Sequence, residues 1–161
     1  MKLDFLLNGQ NQYIDVPPGE TLLKILRSNL GIKSVHSGCG EGHCGSCTVL
    51  MNDHLAASCM IPAFHLKQKQ IETVEYFLTT DEFVDIEWAF LKTGFLPCKY
   101  CAGTKVLMAE AILREFETPQ EEDMRSYITR TWCTCTAPGP FFKAVSEASA
   151  RRKRRAHGTR R

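Results

Sequence analysis

Residues 3–7 (LDFLL) read as a strand. Asn8-Gly9 is a strong two-residue hairpin signal. Residues 12–16 supply the returning strand, which Pro17-Pro18-Gly19 stops. From Thr21 to Leu30 the period changes: Leu22, Leu23, Ile25, Leu26 and Leu30 recur at helical spacing, and Gly31 is placed as a left-handed cap. After a polar, glycine-rich loop comes a second hairpin: residues 48–51, a turn at Asn52-Asp53, and residues 54–57. Residues 71–74 give a last short strand. Two hairpins, one helix and a long loop outline a β-grasp-like α+β unit over residues 1–75.

The pattern is helical from residue 79 onwards. Thr79-x-x-Glu82 reads as a capping box, followed by Phe83, Ile86, Phe90 and Leu91 on an apolar face, with Gly94 as the stop. A second helix is expected over residues 103–117, with Val106, Ala109, Leu113 and Phe116 on one stripe. Thr118-Pro119-Gln120-Glu121 combines an N-cap, a proline in the first turn and a capping-box glutamate for a third helix, to about residue 129. After Pro138-Gly139-Pro140 a fourth helix is expected over residues 141–150. The second unit, residues 79–150, is thus a small four-helix bundle.

Composition changes this picture in two places. The net charge of +2 hides an asymmetry: the stretch RRKRRAHGTRR at 151–161 holds seven basic residues and no acidic one. The remaining 150 residues carry thirteen basic against eighteen acidic residues, a net of −5. The run at 151–161 reads as a basic disordered tail, and without interleaved aromatics or a folded frame it does not predict nucleic-acid binding. The chain begins MKLDFLLNGQ, where Asp4 and Asn8 break the apolar run, so no signal peptide is expected. With no membrane-length apolar stretch either, the expected location is the cytoplasm, where cysteines serve as ligands rather than as cystines.

The second change is the cysteine count of eight in 161 residues. Cys39, Cys44 and Cys47 have C-x4-C-x2-C spacing with Cys59 downstream, the pattern of plant-type 2Fe–2S ligation. Gly38, Gly40, Gly42 and Gly45 let that backbone curl, gather thiolates and aim N–H groups at sulfur. Zinc is the competing metal, but it favours paired C-x2-C knuckles. Cys98 and Cys101 (C-x2-C) with Cys133 and Cys135 (C-x-C) lie at helix ends that antiparallel packing brings together. Taken alone, that second set fits zinc as well as iron–sulfur. His36 and His43 flank the first loop and read as packing residues, because four thiols already fill the ligand set.

A plant-type cluster loop followed by a helical unit with C-x2-C and C-x-C resembles the two-cluster iron–sulfur subunit of molybdenum hydroxylases, the family of xanthine dehydrogenases, aldehyde oxidoreductases and carbon monoxide dehydrogenases. The resemblance covers residues 1–150 and uses all eight cysteines. It implies a plant-type ferredoxin domain with one 2Fe–2S cluster on Cys39, Cys44, Cys47 and Cys59. It implies a second 2Fe–2S cluster on Cys98, Cys101, Cys133 and Cys135 in the helical domain. No catalytic residue is expected on the chain. Its implied role is electron transfer from a molybdopterin-binding large subunit to an FAD-binding medium subunit or another acceptor, with molybdopterin and FAD held by those partners.

The departures from the family pattern lie around the second set. The usual QCGFCTPG is PCKYCAGT here, so Pro97 stands where a glutamine contacts the pterin, and Lys99-Tyr100 replaces Gly-Phe. The usual CRCTGY is CTCTAP, so Thr134 replaces a basic residue, with Lys99 as the expected restoring charge. Tyr100 and Trp132 are expected to shield this end, Phe141 and Phe142 to be core or subunit interface, and Tyr100, Trp132, Pro138 and Phe141 to form a docking face. The alternative functions are a free-standing two-cluster ferredoxin-like carrier and, more distantly, a zinc-stabilised interaction module.

Overall fold

The computed structural model describes residues 1–131, 135 and 137–158. Strands β1 (Lys2–Leu7) and β2 (Gln10–Asp15) form the first hairpin. Its turn residues Asn8 and Gly9 both take positive φ, as a tight hairpin turn of matching twist requires. Strands β3 (Thr48–Met51) and β4 (His54–Ala57) form the second, again over two positive-φ residues, Asn52 and Asp53. Strand β5 (Gln70–Glu72) comes last in sequence but lies in the middle of the sheet, whose order is β2-β1-β5-β3-β4. It runs parallel to β1 and antiparallel to β3.

One face of this sheet packs on the helical segment after β2. Thr21 caps it, its side chain accepting from the Lys24 N–H. The segment is one turn of α-helix, α1 (Leu22–Lys24), that widens into a π-helical turn over Ile25–Asn29. The expected regular helix is therefore short and irregular, although Leu22, Ile25 and Leu26 are buried as its periodicity requires. Gly31 takes the left-handed conformation expected of it, with φ of 71°.

The other face supports the helices. Val49 of β3 joins the core with α1, whereas Leu50 joins the core of the helical unit. The period-two pleat thus makes one strand a wall shared by both cores. Helix α2 (Val74–Phe77) follows β5 directly, where the sequence suggested strand to residue 74. Then come α3 (Asp81–Thr93), α4 (Ala102–Glu115), α5 (Glu121–Ile128) and α6 (Pro138–Gly158). The architecture is the expected α+β arrangement, a sheet unit followed by a helical one.

Two helix starts differ from expectation, and a third helix differs in its burial. The α3 cap is Thr80, accepting from the Phe83 N–H at 3.3 Å, because Thr79 instead closes α2 by donating to the Tyr76 carbonyl. The α5 cap is Gln120, in a reciprocal box with Asp123, so Thr118 and Pro119 remain outside the helix. Helix α4 is buried on every side from Thr104 to Leu113 rather than along one stripe, since the sheet and the other helices surround it.

The expected disordered tail is not observed over residues 151–158, which form the last two turns of α6. The physical reason lies on α3 and α4. Asp85 and Glu110 are each 1% exposed. Arg151, Arg152 and Arg155 reach back to Asp85, and Arg152 also holds Glu110 at 2.6 Å. Charge, rather than apolar area, fastens this end of the helix.

Candidate metal centres

The first loop folds around sulfur. Cys39 Sγ accepts from the backbone N–H groups of Glu41, His43 and Cys44 at 3.3–3.4 Å, and the Cys39 N–H in turn points to Cys44 Sγ at 3.4 Å. Hydrogen bonds from Cys44 and then Glu41 pull the Cys39 thiol down to about 6, so the backbone is built for a thiolate. Cys47 and Cys59 are buried and lie within hydrogen-bonding reach of each other. Burial pushes the Cys59 thiol up to about 11. Such a thiol ionises when a cation takes the proton's place.

The four thiols therefore form two adjacent pairs, Cys39 with Cys44 and Cys47 with Cys59. Among the described residues no group of three Cys, His, Asp or Glu side chains is arranged to hold a single metal ion. Two two-thiolate positions side by side match a dinuclear 2Fe–2S cluster. The cradle has no spare volume at Gly38, where a Cβ would lie 2.5 Å from Cys44 Sγ and Ser46 Oγ. Ser46, buried, stands 3.0 Å from Cys44 Sγ.

The second centre lies where α4 begins. Cys98 Sγ and Cys101 Sγ are 3.2 Å apart. Cys135, just before α6, is within hydrogen-bonding reach of Cys98. Hydrogen bonds from the Cys101 thiol and backbone lower the Cys98 pKa. Three of the four expected thiols of this set are thus brought together. Cys133, with Trp132 and Thr134, lies outside the described residues. No disulfide joins the described cysteines.

Sequence reasoning missed how closely the two centres are tied. The Gly45 carbonyl, between Cys44 and Cys47, accepts from Thr104 Oγ1 in the first turn of α4 at 2.6 Å. Gly45 has φ of 74°, and a Cβ there would meet Thr131 Cγ2 at 2.5 Å, just before the C-x-C segment. Tyr100, between Cys98 and Cys101, stacks on His36 with ring centroids 6.1 Å apart. Gly45 stood out in the sequence only as one glycine of four, and nothing local marked Thr104 as its partner. The expected docking face is also corrected. Phe141 is fully buried, packed on Phe90, Phe95 and Phe142, whereas Leu91, Leu96 and Tyr100 are the large exposed side chains near this end.

Residues 5–76 match the 2Fe-2S iron-sulfur cluster binding domain, and residues 73–146 match the [2Fe-2S] binding domain. The chain is 32% identical over 145 residues to the nicotinate dehydrogenase small FeS subunit of Eubacterium barkeri, covering 90% of this chain and 92% of that one. It is 28% identical over 148 residues to the nicotine 6-hydroxylase small subunit of Paenarthrobacter nicotinovorans, covering 92% and 89%. The crystal structure of quinoline 2-oxidoreductase from Pseudomonas putida superposes with a TM-score of 0.83 at 28% identity, covering 96% of each chain. The chain belongs to the family of two-cluster iron–sulfur subunits of molybdenum hydroxylases. It serves in electron transfer within such an assembly rather than as a free-standing carrier, and its cofactors are 2Fe–2S clusters.

Proposed function

We propose that Cys39, Cys44, Cys47 and Cys59 hold one 2Fe–2S cluster and that Cys98, Cys101, Cys133 and Cys135 hold the other. The backbone cradle on Cys39 Sγ and the pairing of thiols support the first assignment. The convergence of Cys98, Cys101 and Cys135 supports the second. The unit at 1–75 then carries one centre and the unit at 79–150 the other. Bound there, each cluster supplies a one-electron relay from a large molybdopterin-binding chain to a medium FAD-binding chain.

The residues of the chain hold the two centres in register. The Thr104–Gly45 hydrogen bond fixes the α4 end against the first loop, and the Tyr100–His36 stack closes the same seam. That tie is the observation that carries the relay reading, because transfer between two centres depends on a fixed short separation. The side presented to the molybdopterin chain is the helical end. There Leu91, Leu96 and Tyr100 are exposed beside an apolar groove of about 440 Å³ that reaches Pro97 and Lys99. Pro97 offers no side-chain hydrogen bond, so any pterin contact at this position is made by backbone or by other residues. Free thiol ligands also fit a reducing, cytoplasmic location. Among the described residues, no helix is long and apolar enough to cross a membrane.

The test is purification of the native assembly, followed by metal analysis and rapid-mixing reduction. Co-purifying molybdenum and flavin chains, with the helical centre reduced before the loop centre, are expected. A chain isolated without a molybdenum partner would contradict the reading.

A further inference from the structure

Four charged side chains are buried in the described structure: Glu72, Asp85, Glu110 and Lys105. Three are matched. Asp85 meets Arg151, Arg152 and Arg155; Glu110 meets Arg114 and Arg152; Glu72 meets Arg114. Lys105 is 2% exposed and has no carboxylate within ion-pair distance among the described residues. Its ammonium sits over the Phe141 ring, 5.3 Å from the centroid. A buried ammonium without a counter-charge costs several kcal/mol. A fold that matches every other buried charge has a reason to keep this one.

Position supplies the reason. Lys105 follows Cys101 by four residues on α4, so the two share a face, and its N–H donates to the Cys101 carbonyl at 3.0 Å. Helical side chains lean toward the N-terminus of their helix, which for α4 is the end bearing Cys98 and Cys101. Phe141 belongs to the first turn of α6, shortly after Cys135. The ammonium thus lies against the first turn of α6, the turn that follows Cys135. Four thiolates and two sulfides outweigh two ferric ions by a net charge of about −2, and one electron makes it about −3.

We propose that Lys105 is the buried counter-charge of the second centre and sets its reduction potential. This rests on the cluster reading of that centre. The added electron brings no bond change and no proton. Lys105 favours it by electrostatic attraction that is stronger in a dry interior than at the surface. Lys99, closer to the cysteines in sequence, is exposed and so screened by water. The restoring charge expected at Lys99 is thus better placed at Lys105.

The experiment is an anaerobic dithionite titration of the full chain, with both centres followed by EPR. Lys105→Met fills the same volume without charge, Lys105→Gln is a second neutral variant, and Lys99→Met is the exposed control. Both neutral Lys105 variants are expected to lower the equilibrium constant for reducing the second centre about tenfold, or about 59 mV for one electron. The first centre and the Lys99→Met control should stay within threefold of wild type. Loss of the second signal in both neutral variants, with the first signal and the helical circular dichroism retained, would also support the assignment. An unchanged second potential, or cluster loss accompanied by loss of helix, would overturn it and leave Lys105 a packing residue. A wild-type chain without a second signal would instead overturn the cluster reading.

Discussion

The hydroxyl of Thr104 donates to the carbonyl of Gly45 across 59 positions of sequence, at 2.6 Å. One residue opens the first turn of α4 and the other sits inside the first cysteine loop. The bond therefore joins the two centres rather than stabilising either unit alone. Thr104→Val keeps the shape and removes the donor. It should cost about 1 kcal/mol, or roughly 2–4 °C in melting temperature, and should slow transfer between the centres in freeze-quench EPR. Gly45→Ala should be worse, since a Cβ strikes Thr131 and the φ of 74° is unfavourable for alanine. Iron content below that of the Thr104→Val protein would be the sign.

Ending the chain at residue 150 should destabilise the protein substantially. Asp85 would lose all three of its arginine partners and stay buried. The expected cost is about 3 kcal/mol, seen as a melting temperature roughly 6–12 °C lower. Equal melting of the chain ending at residue 150 and the full chain would show that the arginine clasp contributes nothing.

Cys44→Ser should lose the first cluster and keep the second. The sheet should persist, because Leu3, Phe5, Ile25, Leu26 and Ile71 join the strands to the helical segment after β2 in one core. Residues 36–47 should lose amide protection, since the N–H groups of Cys39, Glu41, His43 and Cys44 donate to sulfur. Hydrogen exchange with EPR reads both outcomes. Two full-intensity signals in the variant would refute the ligand assignment.

Tyr127 provides a pH test of the helical unit. Burial, then its hydrogen bond to Glu115, pushes the phenol up to about 12. The folded state thus holds this proton more tightly than the unfolded chain, whose tyrosines ionise near 10. The contribution is fully present below pH 10 and is lost as pH rises toward 12. The difference in melting temperature between wild type and Tyr127→Phe should be constant below pH 10 and shrink above it. A difference that stayed constant across that range would remove the hydrogen bond from the account.

The sequence displayed the local features of this fold and concealed the long-range ones. Asn8-Gly9, Asn52-Asp53 and Gly31 named their own conformations, because positive φ is a property of residue type. The cysteine spacings grouped thiols that the fold places close together, Cys39 with Cys44 and Cys98 with Cys101. The π-helical turn at Ile25–Asn29 was hidden because its apolar spacing is shared with a regular helix. The end of α6 was misread because a run of arginines is polar by composition. Only Asp85 and Glu110, far away in sequence, turn it into a packed face. Lys105 passed unnoticed for the same reason, as burial on all sides of α4 is decided by its neighbours and not by its own periodicity.

The most direct measurement is EPR spin quantitation of the fully reduced chain beside its iron and sulfide content. Two distinct S = 1/2 signals, each near one spin per chain, with about four irons and four sulfides, are predicted for two 2Fe–2S clusters. One signal with half that iron, or zinc without labile sulfide, would contradict the two-centre account.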